Sequence, residues 1–285
     1  MDERGLIRGI SAILPGGATA DDCAVLPHGD ELLLLSTDML HETTDFPVGM
    51  TDAEIGWMAA AVTISDIAGM GARPLALLLA AGLDRPERLA GITEGAARCC
   101  RTYGASLVGG DTDAHTELTL VSTGLGAAEQ VVRRRGARVG DLICVTGYLG
   151  GAQAALSGYD DYWQRLIAPR PRVAEGRTLN AAGATAMMDI SDGLAMSLHD
   201  LLGVNGCGFA VESERLPGPA GVPEAEGRAF ALSGGGDFEL LFTIPPEHFP
   251  VAGVEATAVG RAVAAHGVWA DGVPLAAEGY MHRWE

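Results

Sequence analysis

The sequence predicts a protein of two lobes, one α/β and one α+β, and three observations carry that prediction. Short apolar runs of strand length alternate with helical segments along the chain. One helical segment, Ile55 to Ile64, carries no charge at all, as a core helix does. A block of arginines, Arg133-Arg134-Arg135-Gly136-Ala137-Arg138, then interrupts the apolar pattern and divides the chain into residues 1–132 and 133–285. The 285 residues suffice for two domains.

Each element has a local reason. Leu32-Leu33-Leu34-Leu35 reads as a buried strand ending in Ser36-Thr37-Asp38. Thr51 and Glu54 form a capping-box pattern that starts the uncharged helix. Leu75 to Ala81 is a strand, Pro86 to Tyr103 a helix opening on proline, and Ser106 to Val108 and Leu118 to Leu125 are further strands. After the arginine block, Asp141 to Thr146 is a strand that turns through Gly147 into a helix near Gly151 to Leu156. Arg172 to Ala182 is helical, Thr185 to Ile190 a strand, Asp192 to Leu202 a helix and Phe209 to Glu212 a strand. A short helix follows the Pro/Gly-rich stretch 216–223, and Ser233-Gly234-Gly235-Gly236 is a turn that delivers the strand Phe238 to Ile244.

Composition narrows the function. Net charge is -18, and all 19 basic residues are arginine. So acidic a chain is poorly suited to holding nucleic acid through phosphate contacts. Absence of lysine excludes P-loop enzymes and protein kinases, both of which place a lysine on nucleotide phosphates. A bound polyphosphate would have to be held by arginine, backbone amides and carboxylate-bound metal ions. No apolar run reaches the roughly 18 residues of a membrane span. The charged start Met1-Asp2-Glu3-Arg4 leads into no signal-peptide core, and Cys23, Cys99, Cys100, Cys144 and Cys207 lack metal-ligand spacing. Reduced thiols in a cytoplasm are the expectation.

The aspartates are the informative feature. Asp22 opens an apolar run, Asp38 ends the leucine strand, and Asp111 ends Leu107-Val108-Gly109-Gly110. Asp189 ends Ala186-Met187-Met188, and Asp192 opens the next helix. Asp66 follows Ile55, Ala59 and Val62 at helical spacing, so it shares their buried stripe. Singly, each fits a cap or turn aspartate; Asp192 in Ser191-Asp192-Gly193 is the plainest N-cap pattern, and Asp21 and Asp113 read as solvated. Together, six carboxylates at element boundaries with no lysine nearby call for a hard divalent ion such as Mg²⁺.

In order along the chain stand Asp21-Asp22-Cys23-Ala24-Val25-Leu26, Ser36-Thr37-Asp38, Ser65-Asp66-Ile67-Ala68-Gly69-Met70-Gly71-Ala72-Arg73-Pro74 and Leu107-Val108-Gly109-Gly110-Asp111-Thr112. Arg134-Arg135-Gly136-Ala137, Val145-Thr146-Gly147, Met188-Asp189-Ile190-Ser191-Asp192-Gly193-Leu194 and Ser233-Gly234-Gly235-Gly236-Asp237-Phe238-Glu239-Leu240-Leu241-Phe242 follow. In these segments the sequence resembles the thiamine-monophosphate kinases, within the superfamily that includes aminoimidazole ribonucleotide synthetase. The resemblance implies a two-domain synthetase-like fold whose N-terminal sheet pairs across a homodimer, with a cleft between the domains. It implies several Mg²⁺ ions on Asp22, Ser36, Thr37, Asp38, Asp66, Asp111, Asp189 and Asp192, and ATP on Gly110, Asp111, Arg134 and Ser191. Asp66, Asp111 and Arg134 are the residues it points to for catalysis. The acceptor would be thiamine monophosphate, whose phosphate is largely dianionic at pH 7 and needs no general base.

Ala20 stands where the family has glycine before the paired aspartates. Three further departures lie on the acceptor side, the first being the family's substrate-facing histidine, which falls on Asp45. The acid before the Gly-Gly-linked aspartate is Gly236, and the C-terminal aromatic falls on Ala277, with Tyr280 and Trp284 close by. Asp45 either faces the cationic thiazolium, compensating for the acid missing at Gly236, or is a surface turn residue. The alternatives are a kinase for a different small acceptor, an ATP-dependent ligase of the purine-pathway type, and a non-catalytic nucleotide or metal sensor.

Overall fold

The computed structural model describes residues 3–14 and 16–282, which leaves Trp284 outside it. Two sheets form its frame. The first has the order β1-β2-β5-β3-β4, from Ala24–His28, Glu31–His41, Thr119–Ala128, Arg73–Leu83 and Ser106–Ala114 respectively. All its pairs are antiparallel except β3 with β4. The second has the order β12-β11-β8-β10-β6-β9-β7, built from Leu142–Thr146 (β6), Ala186–Ile190 (β7), Gly208–Val211 (β8), Glu239–Ile244 (β9), Ala256–Val263 (β10), Val268–Ala270 (β11) and Val273–Pro274 (β12). Residues 129–141, including the arginine block, run between the sheets.

The helices in chain order are Glu3–Ser11 (α1), Glu42–Asp45 (α2), Asp52–Gly69 (α3), Leu89–Thr102 (α4), Gly151–Leu156 (α5), Trp163–Ile167 (α6), Val173–Ala182 (α7), Leu194–Val204 (α8) and Glu224–Ser233 (α9). The expected capping box starts α3: Thr51 Oγ1 accepts from Glu54 N–H, and the Glu54 carboxylate accepts from Thr51 N–H. This helix is buried on nearly every side, because β2, β5 and α4 cover one side and α7 and β7 the other. It therefore packs against both lobes. Helices α3 and α4 approach backbone to backbone, since a Cβ on Gly56 would fall 1.9 Å from Ile92 O and one on Gly95 1.9 Å from Ala53 O.

Three boundaries differ from the sequence reading. Strand β2 does not stop at Asp38 but continues to His41, and β4 runs through Asp111 to Ala114. Helix α8 begins at Leu194 with Gly193 as its N-cap, and no side-chain capping bond forms, so the plain N-cap reading of Asp192 is corrected. In each case ladder or helix bonding extends past, or starts after, the polar residue taken as punctuation. Strands β10 to β12 and helices α1, α2 and α6 had no counterpart in the sequence reading.

A side chain at the α3–α4 crossing has no volume to enter. Gly95→Ala should lower unfolding free energy by about 1–3 kcal/mol, although alanine is the better helix former. Denaturant unfolding measures this, and unchanged stability would show that the two helices do not touch there.

Candidate active site

Alternation along β2 sorts the predicted ligands onto two faces. Ser36 and Asp38 point to the α3 side, whereas Thr37 points to the outer face. Ser36 Oγ donates a short hydrogen bond to Asp66 of α3. Thr63, one turn earlier on α3, donates to Asp38 Oδ2 at 2.6 Å and lies 2.5 Å from Ser122 Oγ. Ser65 Oγ donates to Asp189 Oδ2 at 2.6 Å. Asp189 ends no exposed loop: it sits in β7, which is buried throughout. The backbone N–H of Asp189 lies close to Asp22, whose side chain is fully buried. Gly69 makes this meeting possible, because a Cβ there would lie 2.6 Å from Asp22 Oδ2 and 2.9 Å from Asp189 N.

Asp22, Asp38, Asp66 and Asp189 thus share one interior region where β1, β2, α3 and β7 converge. Burial is the main force raising all four carboxyls above the ordinary range. Neighbouring negative charge adds to it: Asp38, Asp189 and Asp22 act on Asp66, and Asp22 acts on Asp189, which is pushed up to about 8. Arg134 supplies the counter-charge, its Nε 2.8 Å and its Nη2 2.5 Å from Asp22 Oδ1. Asp22 Oδ2 is buried with no hydrogen-bond partner. Among the described residues no three acidic, histidine or cysteine side chains already enclose one point. The carboxylates stand apart, as like charges do when one arginine serves the group.

An oxygen-only set with an orphaned buried carboxylate oxygen fits a hard divalent cation. Asp22, Asp38, Asp66 and Asp189, with the Ser36 hydroxyl, are the residues that could hold such ions. Asp38 also lines a cavity of about 530 Å³ between the lobes, together with Asp45, Met58, Ser191, Asp192 and Phe238. Asp192, Ser191 and Gly236 stand on its C-terminal side, while Thr44 and Asp45 stand on its N-terminal side. Asp45 Oδ2 accepts from His41 N–H and Thr44 O–H, both at 2.7 Å. At Gly236 φ is +88°, a conformation that disfavours any side chain. Phe238 takes φ +52° even so, fixed by its N–H donating to Ile190 O at 2.9 Å, and its ring lines the cavity. Ala277 is exposed and does not line the cavity, whereas Tyr280 and His282 do.

Thr37, Gly110 and Asp111 do not join this group within one chain. Asp38 pairs with Ser122, Ser122 with Leu79 and Leu79 with Gly110, so Gly110 stands three strands away. Three spacings of about 4.8 Å place it roughly 14 Å off. Asp111, the next residue, is exposed on the outer face, where it lines a second hollow with Met39, His41, Ala80, Gly82, Thr119 and Val121.

Sequence reasoning missed several contributors. Asp21 is no solvated residue: its Oδ1 accepts the Arg134 N–H at 3.0 Å, and its other oxygen pairs with Arg133. Thr63, Ser65 and Ser122 hold the carboxylates, and the available signal was hydroxyls on an otherwise apolar helix and strand. Asp237 anchors the start of α5 by accepting from Gly150 and Ala152 N–H, and burial pushes its carboxyl up to about 6.

Comparison with known proteins follows the same geometry. Residues 20–128 match the family described as AIR synthase related protein, N-terminal domain. A thiamine-monophosphate kinase from Methanospirillum hungatei is 50% identical over 289 residues, covering 100% of both chains. One from Halobacterium salinarum is 41% identical, covering 99% of this chain and 100% of that protein. Among solved structures, AaThiL complexed with AMPPCP and TMP superposes with a TM-score of 0.93 at 29% identity, over 99% of this chain and 97% of that one.

Asp189 titrates higher in the fold than in the unfolded chain, so its stabilising contribution is fully present below the ordinary carboxylate range and is lost as pH rises through about 8. In the presence of chelator, the melting temperature should therefore fall between about pH 6 and 8, and Asp189→Asn should flatten that slope. Excess Mg²⁺ at pH 8 should raise the wild-type melting temperature but not that of the variant. Equal slopes for both proteins, or no response to Mg²⁺, would contradict the carboxylate grouping.

Proposed function

The chain belongs to the thiamine-monophosphate kinase family, and we propose that it transfers the γ-phosphoryl group of ATP to the phosphate of thiamine monophosphate in the cavity between Asp38 and Asp192. The observation that carries this reading is the group of buried carboxylates, served by a single arginine, opening onto a cavity between two lobes. An acidic interior of this kind repels a polyphosphate until cations intervene. At about 4 Å two unit charges interact by roughly 4 kcal/mol at an effective dielectric near 20, and ATP multiplies that several times. The carboxylates here would hold Mg²⁺, which would supply positive charge against the phosphates and against the charge developing on the transferring group.

The remaining work falls to the protein's own groups. Asp22, Ser36, Asp38, Asp66, Asp189 and Asp192 would hold the metal ions, and Arg134 and Ser191 would contact nucleotide phosphate. The acceptor's dianionic phosphate attacks in line without losing a proton, which suits a site that offers no lysine. Met58, Val62, Leu166 and Phe238 form the apolar wall of the cavity and exclude water from the reacting oxygens. Asp45, its carboxylate already fixed by His41 and Thr44, faces the cationic thiazolium across from Gly236, and Tyr280 provides an aromatic surface near the tail.

Residues 1–132 and 133–285 act as the two lobes of this cleft. A homodimer completes it. The outer face of the first sheet exposes Leu26, Leu35, Met39 and Leu78, an apolar strip that a second copy would cover. Thr37, Gly110 and Asp111 lie on or beside that face, so each copy presents them to its partner's nucleotide rather than to its own. The five cysteines are unpaired and buried, in keeping with a cytoplasmic protein.

Purified protein incubated with ATP, Mg²⁺ and thiamine monophosphate should yield ADP and thiamine diphosphate. Asp66→Asn should lower turnover more than about 100-fold while circular dichroism stays native. ADP formed only with another acceptor would overturn the substrate assignment, and full activity of Asp66→Asn would remove that residue from the site. Mixed dimers test the second copy. Each Asp66→Asn and Asp111→Asn homodimer should be inactive, but subunits exchanged at equal amounts should recover about a quarter of wild-type turnover, because half the dimers then carry one intact site. No recovery would return Asp111 to its own chain's site.

A further inference from the structure

We propose that Asn205 is a positioning residue for Arg134: it sets the backbone from which that guanidinium reaches Asp22 and the nucleotide phosphates. The inference rests on the phosphate-facing reading of Arg134 given above. Asn205 is the C-cap of α8, 8% exposed, and its amide is saturated. Oδ1 accepts from Gly136 N–H at 2.8 Å and Ala137 N–H at 3.0 Å, while Nδ2 donates to Arg134 O and Leu201 O, both at 2.8 Å. Only an amide offers two acceptor and two donor positions on one short side chain, and only this orientation satisfies two N–H groups and two carbonyls together.

The loop has little freedom left. Met187 N–H donates to Arg133 O at 3.0 Å, and Asp21 accepts the Arg134 N–H from the other lobe. A Cβ at Gly136 would lie 2.0 Å from Thr185 O. Three of the loop's backbone groups nevertheless depend on Asn205 alone. Helix α8 gives this arrangement its purpose. Its N-cap Gly193 follows Ser191 and Asp192, which border the cavity, and its C-terminus carries Asn205. The 11 residues of α8 form a strut of about 16 Å that fixes the arginine loop and the Ser191–Gly193 turn relative to one another. Displacing a phosphate-facing group by about 1 Å costs on the order of 100-fold in rate, so the strut's far end matters to transfer.

A double-mutant cycle on the full-length protein separates positioning from general stability. Asn205→Asp keeps the acceptor for Gly136 and Ala137 but sets an oxygen against the carbonyls of Arg134 and Leu201. It should lower kcat/KM for ATP by about 10- to 100-fold while KM for the acceptor holds, and any fall in melting temperature should be the same with or without Arg134. In an Arg134→Gln background the same change should cost nothing further, since the group it positions is gone. If the aspartate variant does not fold, Asn205→Ser takes its place in the cycle. Equal losses in both backgrounds, or wild-type kinetics for the variant carried through the cycle, would overturn the inference while leaving the kinase reading intact. An Arg134→Gln protein with full activity would overturn the inference and, separately, remove Arg134 from the nucleotide. Should the acceptor prove different, the cycle read as Kd for a non-hydrolysable ATP analogue must show the same non-additivity, and additive losses in Kd would sink the proposal.

Discussion

Buried negative charge with too little positive charge beside it governs this structure. Asp22, Asp38, Asp66 and Asp189 lie where the two lobes meet, and burial together with mutual repulsion disfavours their ionised forms. Arg134 offsets part of this, and Asp22 Oδ2 has no partner at all. A protein that evolved only for stability would replace such a group with apolar side chains. On the proposed reading, its retention in the core answers to a ligand that brings positive charge, and the elements around it are fitted to the carboxylates. Helix α3 is uncharged except at its first turn and Asp66, Gly69 is reduced to a backbone so that Asp22 and Asp189 can meet, and Ser36, Thr63 and Ser65 steady the carboxylates with neutral hydroxyls.

Both lobes are tied to this point. The first sheet supplies Asp22, Ser36 and Asp38, α3 supplies Asp66, and β7 of the second sheet supplies Asp189. Arg134 arrives on the connection between the sheets and is held by Asp21 from one lobe and Asn205 from the other. The half that holds the buried carboxylates and Arg134 is therefore dense with hydrogen bonds. The opposite half, around Asp45, Gly236 and Tyr280, is an open cavity with an apolar wall. Two departures from the family's usual residues, Asp45 and Gly236, fall in the open half, where a change of side chain disturbs few neighbours. The side chain that Gly236 lacks is also the one its φ would strain.

Much of the frame was legible before the fold was known, for identifiable reasons. The capping box at Thr51 and the absence of charge over Ile55–Ile64 are local signals, and α3 follows from them. Asp66 was found by helical spacing, and its place on the buried stripe needed no tertiary information. Strand ends were misread at Asp38 and Asp111, because a polar residue in a strand looks like an ending when its ladder partners are unknown. Strands β10 to β12 are short or alternate weakly; β10 and β11 owe their pairing to β6 and β8, and β12 pairs only with β11. Thr37's facing follows from alternation along β2, whereas the distance of Gly110 and Asp111 from Asp38 is a matter of sheet order, which no run of residues encodes. Asp21, Thr63 and Asn205 were invisible for a related reason: each acts through partners between 25 and 113 positions away.

The central claim is that the interior carboxylates of Asp22, Asp38, Asp66 and Asp189 exist to gather divalent cations around the phosphates of a nucleotide. Anomalous diffraction from crystals grown with Mn²⁺ and a non-hydrolysable ATP analogue tests it most directly. Strong peaks should lie within ligand distance of these four side chains, about 2.0–2.6 Å, and bridge them to phosphate oxygens. Peaks confined to the protein surface, with these carboxylates still turned toward Arg134, Ser36, Thr63 and Ser65, would contradict it.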